Sequence, residues 1–126
     1  MSSTVEVFFE RYRKAFESYD LDALGKLVHL PCLIASAGKL IACGDAGDLR
    51  HRLQRQFERH REAGVADAKF EVVDRRRLDP RFVVVGVRWT LLKDDGSELM
   101  DFGVSYTLTA PEAGWKIACV LPLDLG

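Results

Sequence analysis

Four aromatic residues have the types and spacing to enclose a small molecule: Tyr12, Trp89, Phe102 and Tyr106. Tyr12 falls on the apolar stripe of a predicted helix, and the other three fall on one face of a predicted hairpin. An aromatic-lined concavity with a few hydroxyls suits a planar or sterol-like molecule. The alternative is that the rings fill a solid core, so the cavity hypothesis predicts an internal void near Tyr12.

Among the histidines, His29 has the best position for acid–base chemistry, because it stands at the end of a predicted second helix beside the first strand. It is a candidate general base there, although the favoured interpretation is a histidine that only bonds a carbonyl at the helix end. His51 and His60 share one helix but lie on opposite sides of it at about 100° per residue. His29 and Cys32 alone fall short of the three or four ligands of a zinc site. We expect no metal and no other cofactor.

Nucleophilic catalysis has no support in the sequence, which has no G-x-S-x-G elbow, no C-x-x-C pair and no glycine-rich phosphate loop. Cys32, Cys43 and Cys119 sit among apolar neighbours, and such surroundings raise the pKa of a thiol. Their odd number favours reduced thiols over a disulfide framework.

Basic residues cluster on the predicted third helix, where Arg52, Arg55 and Arg59 form a stripe that we interpret as lying opposite Leu49 and Phe57. A phosphate-binding surface is one interpretation. A solvated helix face is favoured, because no aromatic residues for base stacking are interleaved with the arginines.

Arg88 and Asp101 lie diagonally across the predicted hairpin, on the face opposite the aromatic residues. A functional interpretation makes them an anion anchor and an acid. A cross-strand ion pair on a polar face is the favoured interpretation, and it contributes little to stability.

The composition bounds the class of protein. The chain has 126 residues, 48% of them hydrophobic, and a formal net charge of −1. These values predict one domain over residues 1–126 and argue against a dedicated nucleic-acid binder. No apolar run approaches the roughly 20 residues of a membrane span, and the N-terminus lacks the pattern of a signal peptide. We expect a cytoplasmic protein.

Two helices are predicted in the first third of the chain. Ser3 and Glu6 have the spacing of a capping box, after which apolar and aromatic residues recur at helical intervals. Asp20 caps a second, short helix that carries Leu27 and that Pro31 should stop.

Two short strands, 32–36 and 39–43, precede a third helix that runs from a cap at Asp45 to about residue 62, with Gly64 ending it. Four longer antiparallel strands follow, at 66–78, 82–93, 98–109 and 115–121. This order predicts an α+β fold in which about three helices from the N-terminal half pack on one face of a curved antiparallel sheet.

The hairpin turn at Asp95 and Gly96 allows the strand register to be counted, if those two residues form the turn. The opposing pairs on one face are then Leu91 with Met100, Trp89 with Phe102, Val87 with Val104, and Val85 with Tyr106. This face is apolar and aromatic, so we expect it to lie under the helices.

The order of elements resembles the nuclear transport factor 2-like superfamily, a cone-shaped, cystatin-like α+β fold shared with SnoaL-like polyketide cyclases and ketosteroid isomerases. The segments that carry the resemblance are Phe9-Glu10-Arg11-Tyr12, Asp20-Leu21-Asp22-Ala23-Leu24, Val87-Arg88-Trp89 and Gly114-Trp115-Lys116-Ile117. They are specific for the fold and weakly informative about function.

The resemblance implies a ligand-binding cone and a homodimer formed through the sheet. The expected ligand-binding residues are Tyr12, Ser36, Trp89, Phe102, Val104 and Tyr106.

The resemblance also allows the catalytic positions to be compared. Ketosteroid isomerases pair an aspartate base with a tyrosine and a protonated aspartic acid. Tyr12 matches the tyrosine of the first helix. The base position aligns with Ser36, which cannot remove a proton at neutral pH, and the second acid falls near Val104 or Ser105. Two of the three groups are missing, and the acid/base residues of SnoaL-like cyclases are not recognisable.

The function favoured by the sequence is binding of a small apolar or aromatic molecule. The first alternative is an isomerase-like or cyclase-like enzyme that transfers a proton on a carbonyl compound, with Tyr12 polarising the oxygen and His29 acting as base. The second is an adaptor that binds protein or nucleic acid through the basic third helix, and that alternative predicts a filled core.

Overall fold

A computed structural model describes residues 4–110 and 114–126, so the predicted cap at Ser3 and the loop at Pro111 lie outside the described residues. The elements in chain order are α1 (Thr4–Glu17), α2 (Leu21–Gly25), β1 (Val28–Ser36), β2 (Lys39–Cys43), α3 (Ala46–Ala63), β3 (Asp67–Asp79), β4 (Phe82–Leu92), β5 (Glu98–Thr109) and β6 (Lys116–Leu123). Within these ranges, no helix has both the length and the hydropathy to cross a bilayer.

Helix ends follow the predicted local rules. Asp20 accepts a hydrogen bond from the Ala23 amide at 3.0 Å, and Asp45 accepts one from the Asp48 amide at 2.8 Å. Gly64, with a φ of 85°, caps the C-terminus of α3 in the left-handed conformation that glycine adopts at no steric cost. The predicted N-caps at Asp20 and Asp45 and the predicted stop of the third helix are confirmed.

The second helix is shorter than predicted, and the strand after it is longer. α2 ends at Gly25, and β1 starts at Val28, so Pro31 lies inside a strand and stops no helix. The reason is a contact distant in sequence: Val28 pairs with Ile117 of β6, whose amide donates to the Leu27 carbonyl at 2.8 Å.

All six strands form one sheet in the order β2-β1-β6-β5-β4-β3. Every neighbouring pair is antiparallel except β1 and β6, which are parallel. The helices cover the inner face of this curved sheet, as the α+β prediction required.

The predicted register between β4 and β5 is confirmed at all four counted pairs, although the predicted two-residue turn is wrong. The Lys93 amide bonds to the Ser97 carbonyl at 2.9 Å, so the loop contains three residues, with Gly96 at a φ of 84°. A register shift between Leu91 and Leu92 offsets the extra loop residue. Trp89 therefore still faces Phe102.

The inner face of the sheet is the apolar one. Val85 and Val87 are fully buried, and Trp89 and Tyr106 are almost so. Met100 is the exception, because it lies near the turn of the hairpin and is 48% exposed.

The outer face of the sheet is mixed. Arg88 and Asp101 form the predicted cross-strand ion pair there, with the guanidinium Nε donating to the carboxylate at 2.9 Å. Leu33, Val73 and Leu121 are exposed on the sheet. The homodimer implied by the resemblance remains a prediction.

Candidate functional site

A cavity of about 390 Å³ lies between the helices and the inner face of the sheet. Aromatic side chains from α1 and from the two hairpin strands make up much of its wall: Tyr12, Phe16, Trp89, Phe102 and Tyr106. A void is therefore present beside Tyr12, where the alternative of a solid core expected none.

Five of the six residues expected to bind a ligand line this cavity: Tyr12, Trp89, Phe102, Val104 and Tyr106. The sixth, Ser36, ends β1, and its side chain lies outside what the structure describes. Its neighbour Ala35 lines the cavity.

The backbone explains why these rings meet. Strand alternation places Trp89, Phe102, Val104 and Tyr106 on the inner face, because opposing residues in a ladder point to the same side. Tyr12 reaches them from α1, and its ring centroid lies 5.6 Å from that of Trp89 and 5.9 Å from that of Tyr106.

Two of the polar groups on these rings are joined by a hydrogen bond. Trp89 Nε1 donates to the Tyr106 hydroxyl at 2.9 Å. Burial raises the pKa of Tyr12 to about 12, against the opposing effect of a hydrogen bond from Tyr106. Burial also raises the pKa of Tyr106 well above its ordinary value, and the neighbouring Tyr12 adds to this. Both phenols are therefore neutral at physiological pH.

We expect Tyr106→Phe to lower the free energy of unfolding by about 1–3 kcal/mol, because it leaves the buried Trp89 N–H without its acceptor. Urea denaturation measures the change. Trp89→Phe and the double variant complete a double-mutant cycle, in which the double variant should lose less than the sum of the two single losses. Strict additivity would show that the hydrogen bond contributes nothing.

His29 does not belong to this site. It is absent from the cavity wall, and its Nδ1 lies 3.1 Å from the Pro31 carbonyl oxygen on the exposed side of β1. The predicted general base is therefore misplaced, for the same reason that the predicted end of the second helix is wrong. Tyr12 and His29, the candidate catalytic pair, are not brought together.

One wall of the cavity was not predicted. α3 contributes five polar side chains to it: Arg52, Arg55, Gln56, Arg59 and His60. The interpretation of the arginine stripe as lying opposite the apolar face of α3 is wrong, because Arg52 lies only about 60° around the helix from Leu49. This angle was available in the sequence and would have indicated the polar wall.

His60 is half-buried in that wall, and His51 is exposed, which confirms that they lie on opposite sides of α3. The His60 ring lies 4.8 Å from the ring of Phe16. Burial lowers the pKa of His60, and the positive charge of Arg59 lowers it further. Within the described part of the chain, its buried Nδ1 makes no hydrogen bond.

Cys32 and Cys43 are buried and Cys119 is partly buried, as small hydrophobic residues commonly are. Burial raises the pKa of Cys32, which lines the cavity, to about 11, with smaller effects from Cys119 and Cys43. Burial is also the largest cause of the raised pKa of Cys43 and of Cys119. The predicted direction of these shifts is confirmed, and it disfavours the reactive thiolate.

The chain matches a known protein family over almost its whole length. The sequence profile of the family described as NTF2-like protein (DUF6841) matches residues 2–124. No curated protein matches the chain.

Several solved structures share the fold. An NTF2-like protein of unknown function from Shewanella oneidensis has a TM-score of 0.73 at 15% identity, with 93% of each chain covered. A domain of unknown function with a cystatin-like fold from Nostoc punctiforme has a TM-score of 0.74 at 15% identity, covering 96% of this chain and 76% of that one. A ketosteroid isomerase-like protein from Erwinia carotovora has a TM-score of 0.65 at 16% identity, covering 96% and 95%. At these identities the likeness concerns the fold alone.

Proposed function

The chain belongs to the NTF2-like family described as DUF6841, and from this premise we propose that it binds a small molecule with an aromatic or apolar body inside the cone. The observation that carries the proposal is the unfilled volume of about 390 Å³ beside Tyr12. Ligand pockets in proteins hold about 300–1,000 Å³, so this cavity suits a compact ligand of two to four rings.

The walls favour flat apolar ligands. Tyr12 and Trp89 present ring faces and edges to the same space, with centroids 5.6 Å apart. Offset or edge-to-face contacts with a ligand ring add about 0.5–1.5 kcal/mol to the gain from burial alone.

The hydroxyl group of Tyr12 supplies one point of polar recognition. The Tyr106 hydroxyl already accepts a hydrogen bond from Trp89, and the neutral Tyr12 hydroxyl also lines the cavity. A carbonyl or ether oxygen on the ligand would accept a hydrogen bond from Tyr12, which would fix the orientation of the ligand in the cone.

Turnover receives less support than binding. Proton abstraction from a carbonyl compound needs a base within hydrogen-bond reach of the substrate. His29, the base assigned from the sequence, bonds a backbone carbonyl outside the cavity. Among the described lining residues there is no aspartate or glutamate to replace it, and His60, which also lines the cavity, has its Nδ1 buried away from the open volume.

The adaptor alternative also receives less support. It predicted a filled core, whereas the space beneath α3 that Arg52, Arg55 and Arg59 border is open.

A fluorescent naphthalene probe tests the proposal. We expect phenylnaphthylamine, an uncharged aromatic amine, to bind in one-to-one stoichiometry, to fluoresce more strongly and to raise the melting temperature of the protein, since a ligand that binds only the folded state stabilises it. Titration and a thermal-shift screen of metabolites measure both effects. If neither this probe nor any apolar metabolite binds, the proposal is wrong.

A further inference from the structure

The polar wall contributed by α3 indicates which kind of ligand the cone takes. Arg55 and Arg59 follow Arg52 at intervals of three and four residues, and Gln56 and His60 follow it at intervals of four, so the five side chains occupy one helix face. Arg55 and Arg59 are exposed and yet line the cavity, which places them at its mouth. The aromatic rings lie deeper, on α1 and the sheet.

Acidic side chains of the described residues balance only part of the positive charge on this wall. Arg52 pairs with Asp48, its Nε lying 3.2 Å from the carboxylate. Arg55 and Arg59 take part in none of the ion pairs found among the described residues. Since the described lining also contains no carboxylate, the mouth of the cavity is a region of positive potential.

The imidazole of His60 borders the cavity at the same place. Its Nδ1 is buried and has no hydrogen-bond partner within the described part of the chain. Because that nitrogen has almost no accessible surface, the ring reaches the cavity through its other atoms. Burial and the charge of Arg59 both hold the pKa of this imidazole below its ordinary value, a penalty that a nearby anion would relieve.

We propose that the ligand is an organic anion, with an aromatic or apolar body in the cone and a carboxylate or similarly charged head group held at the mouth by Arg55, Arg59 and His60. This inference rests on the proposed function, because the head group is bound only if the body occupies the cavity. Guanidinium groups suit such head groups, since their planar N–H donors can bond a carboxylate at two points. A free inorganic anion would leave the aromatic walls empty.

Two probes that differ by one charged group separate this inference from the proposed function. Phenylnaphthylamine tests the cavity alone, and anilinonaphthalene sulfonate adds an anionic head to the same rings. We expect the wild-type protein to bind the sulfonate about 10- to 100-fold more tightly, as charge-assisted hydrogen bonds would provide. Added salt should weaken binding of the sulfonate and leave the neutral probe unchanged.

The matched variants are Arg55→Gln with Arg59→Gln, and Arg50→Gln with Arg11→Gln as a control that removes the same charge outside the cavity. Arg50 lies on the same helix in an exposed pair with Asp22, and Arg11 is exposed on α1. The first double variant should bind the sulfonate at least about tenfold more weakly and the neutral probe within about twofold of wild type. Retained binding of the neutral probe shows that the variant is folded.

The outcomes are distinct. Equal affinity of the wild-type protein for the two probes, or equal loss in the two double variants, would overturn the inference and leave the proposed cavity intact. Failure of both probes to bind the wild-type protein would contradict the proposed function, and the inference with it.

Discussion

Replacing Phe9 by alanine should lower the free energy of unfolding by about 3–5 kcal/mol, the range found for truncating a buried phenylalanine. Phe9 is fully buried, and its ring centroid lies 5.1 Å from that of Phe8 and 5.0 Å from that of Tyr106. It is not part of the cavity wall, so its ring belongs to the solid layer of the core. Its loss would open a second void directly behind Tyr106.

Urea denaturation followed by circular dichroism measures this effect, and Phe82→Ala is the matched control. Phe82 is 41% exposed at the start of β4, so the same truncation there should cost about 1 kcal/mol or less. Similar losses in the two variants would mean that the packing of α1 on the sheet does not stabilise the fold as described.

Val104→Trp should weaken binding of the neutral probe about 100-fold while the protein stays folded. Val104 lies on the inner face of β5 and lines the cavity, so a tryptophan there occupies the space that the probe rings need. Burying about 200 Å² of an aromatic probe gains roughly 5 kcal/mol. Losing half of that contact weakens binding by about 100-fold.

The control for this variant is Val73→Trp, which places the same side chain on β3 at a residue that is 43% exposed and outside the cavity wall. It should bind the probe as wild type does. Ala35→Phe fills the cavity from β1 and should reproduce the loss, which guards against a local folding defect in β5. Wild-type affinity in both cavity-filling variants would place the probe elsewhere and refute the proposal.

The parts of the fold that were predictable from the sequence depend on local rules. The caps at Asp20 and Asp45 follow from side-chain hydrogen bonds to amides three residues away. The pairing of Trp89 with Phe102 follows from alternation along the strands. This pairing was predicted from a two-residue turn. The loop in fact has three residues, and a bulge in the hairpin offsets the extra one.

The parts that were missed depend on contacts distant in sequence or on curvature. β1 extends back to Val28 because β6, almost ninety residues later, pairs with it. That extension moves His29 from a helix end into a strand and removes it from the site. The volume of the cavity depends on the distance between the curved sheet and the helices. The hydrophobic periodicity of the sequence does not determine that distance. The polar wall could have been found, because its helix angles place Arg52 beside the apolar face.

In the proposed function, α3 uses one set of side chains to bind the ligand and another set to pack against the core. Leu49, Leu53 and Phe57 are buried and hold the helix in place. The positions that border the cavity mouth, Arg55 and Arg59, make no ion pair with the described remainder of the fold. Under the proposed function, head-group specificity can therefore diverge between related proteins by exchange of a few side chains on one helix, without disturbing strand register or core. A designer could use the same separation to retarget the cone toward cationic or neutral ligands.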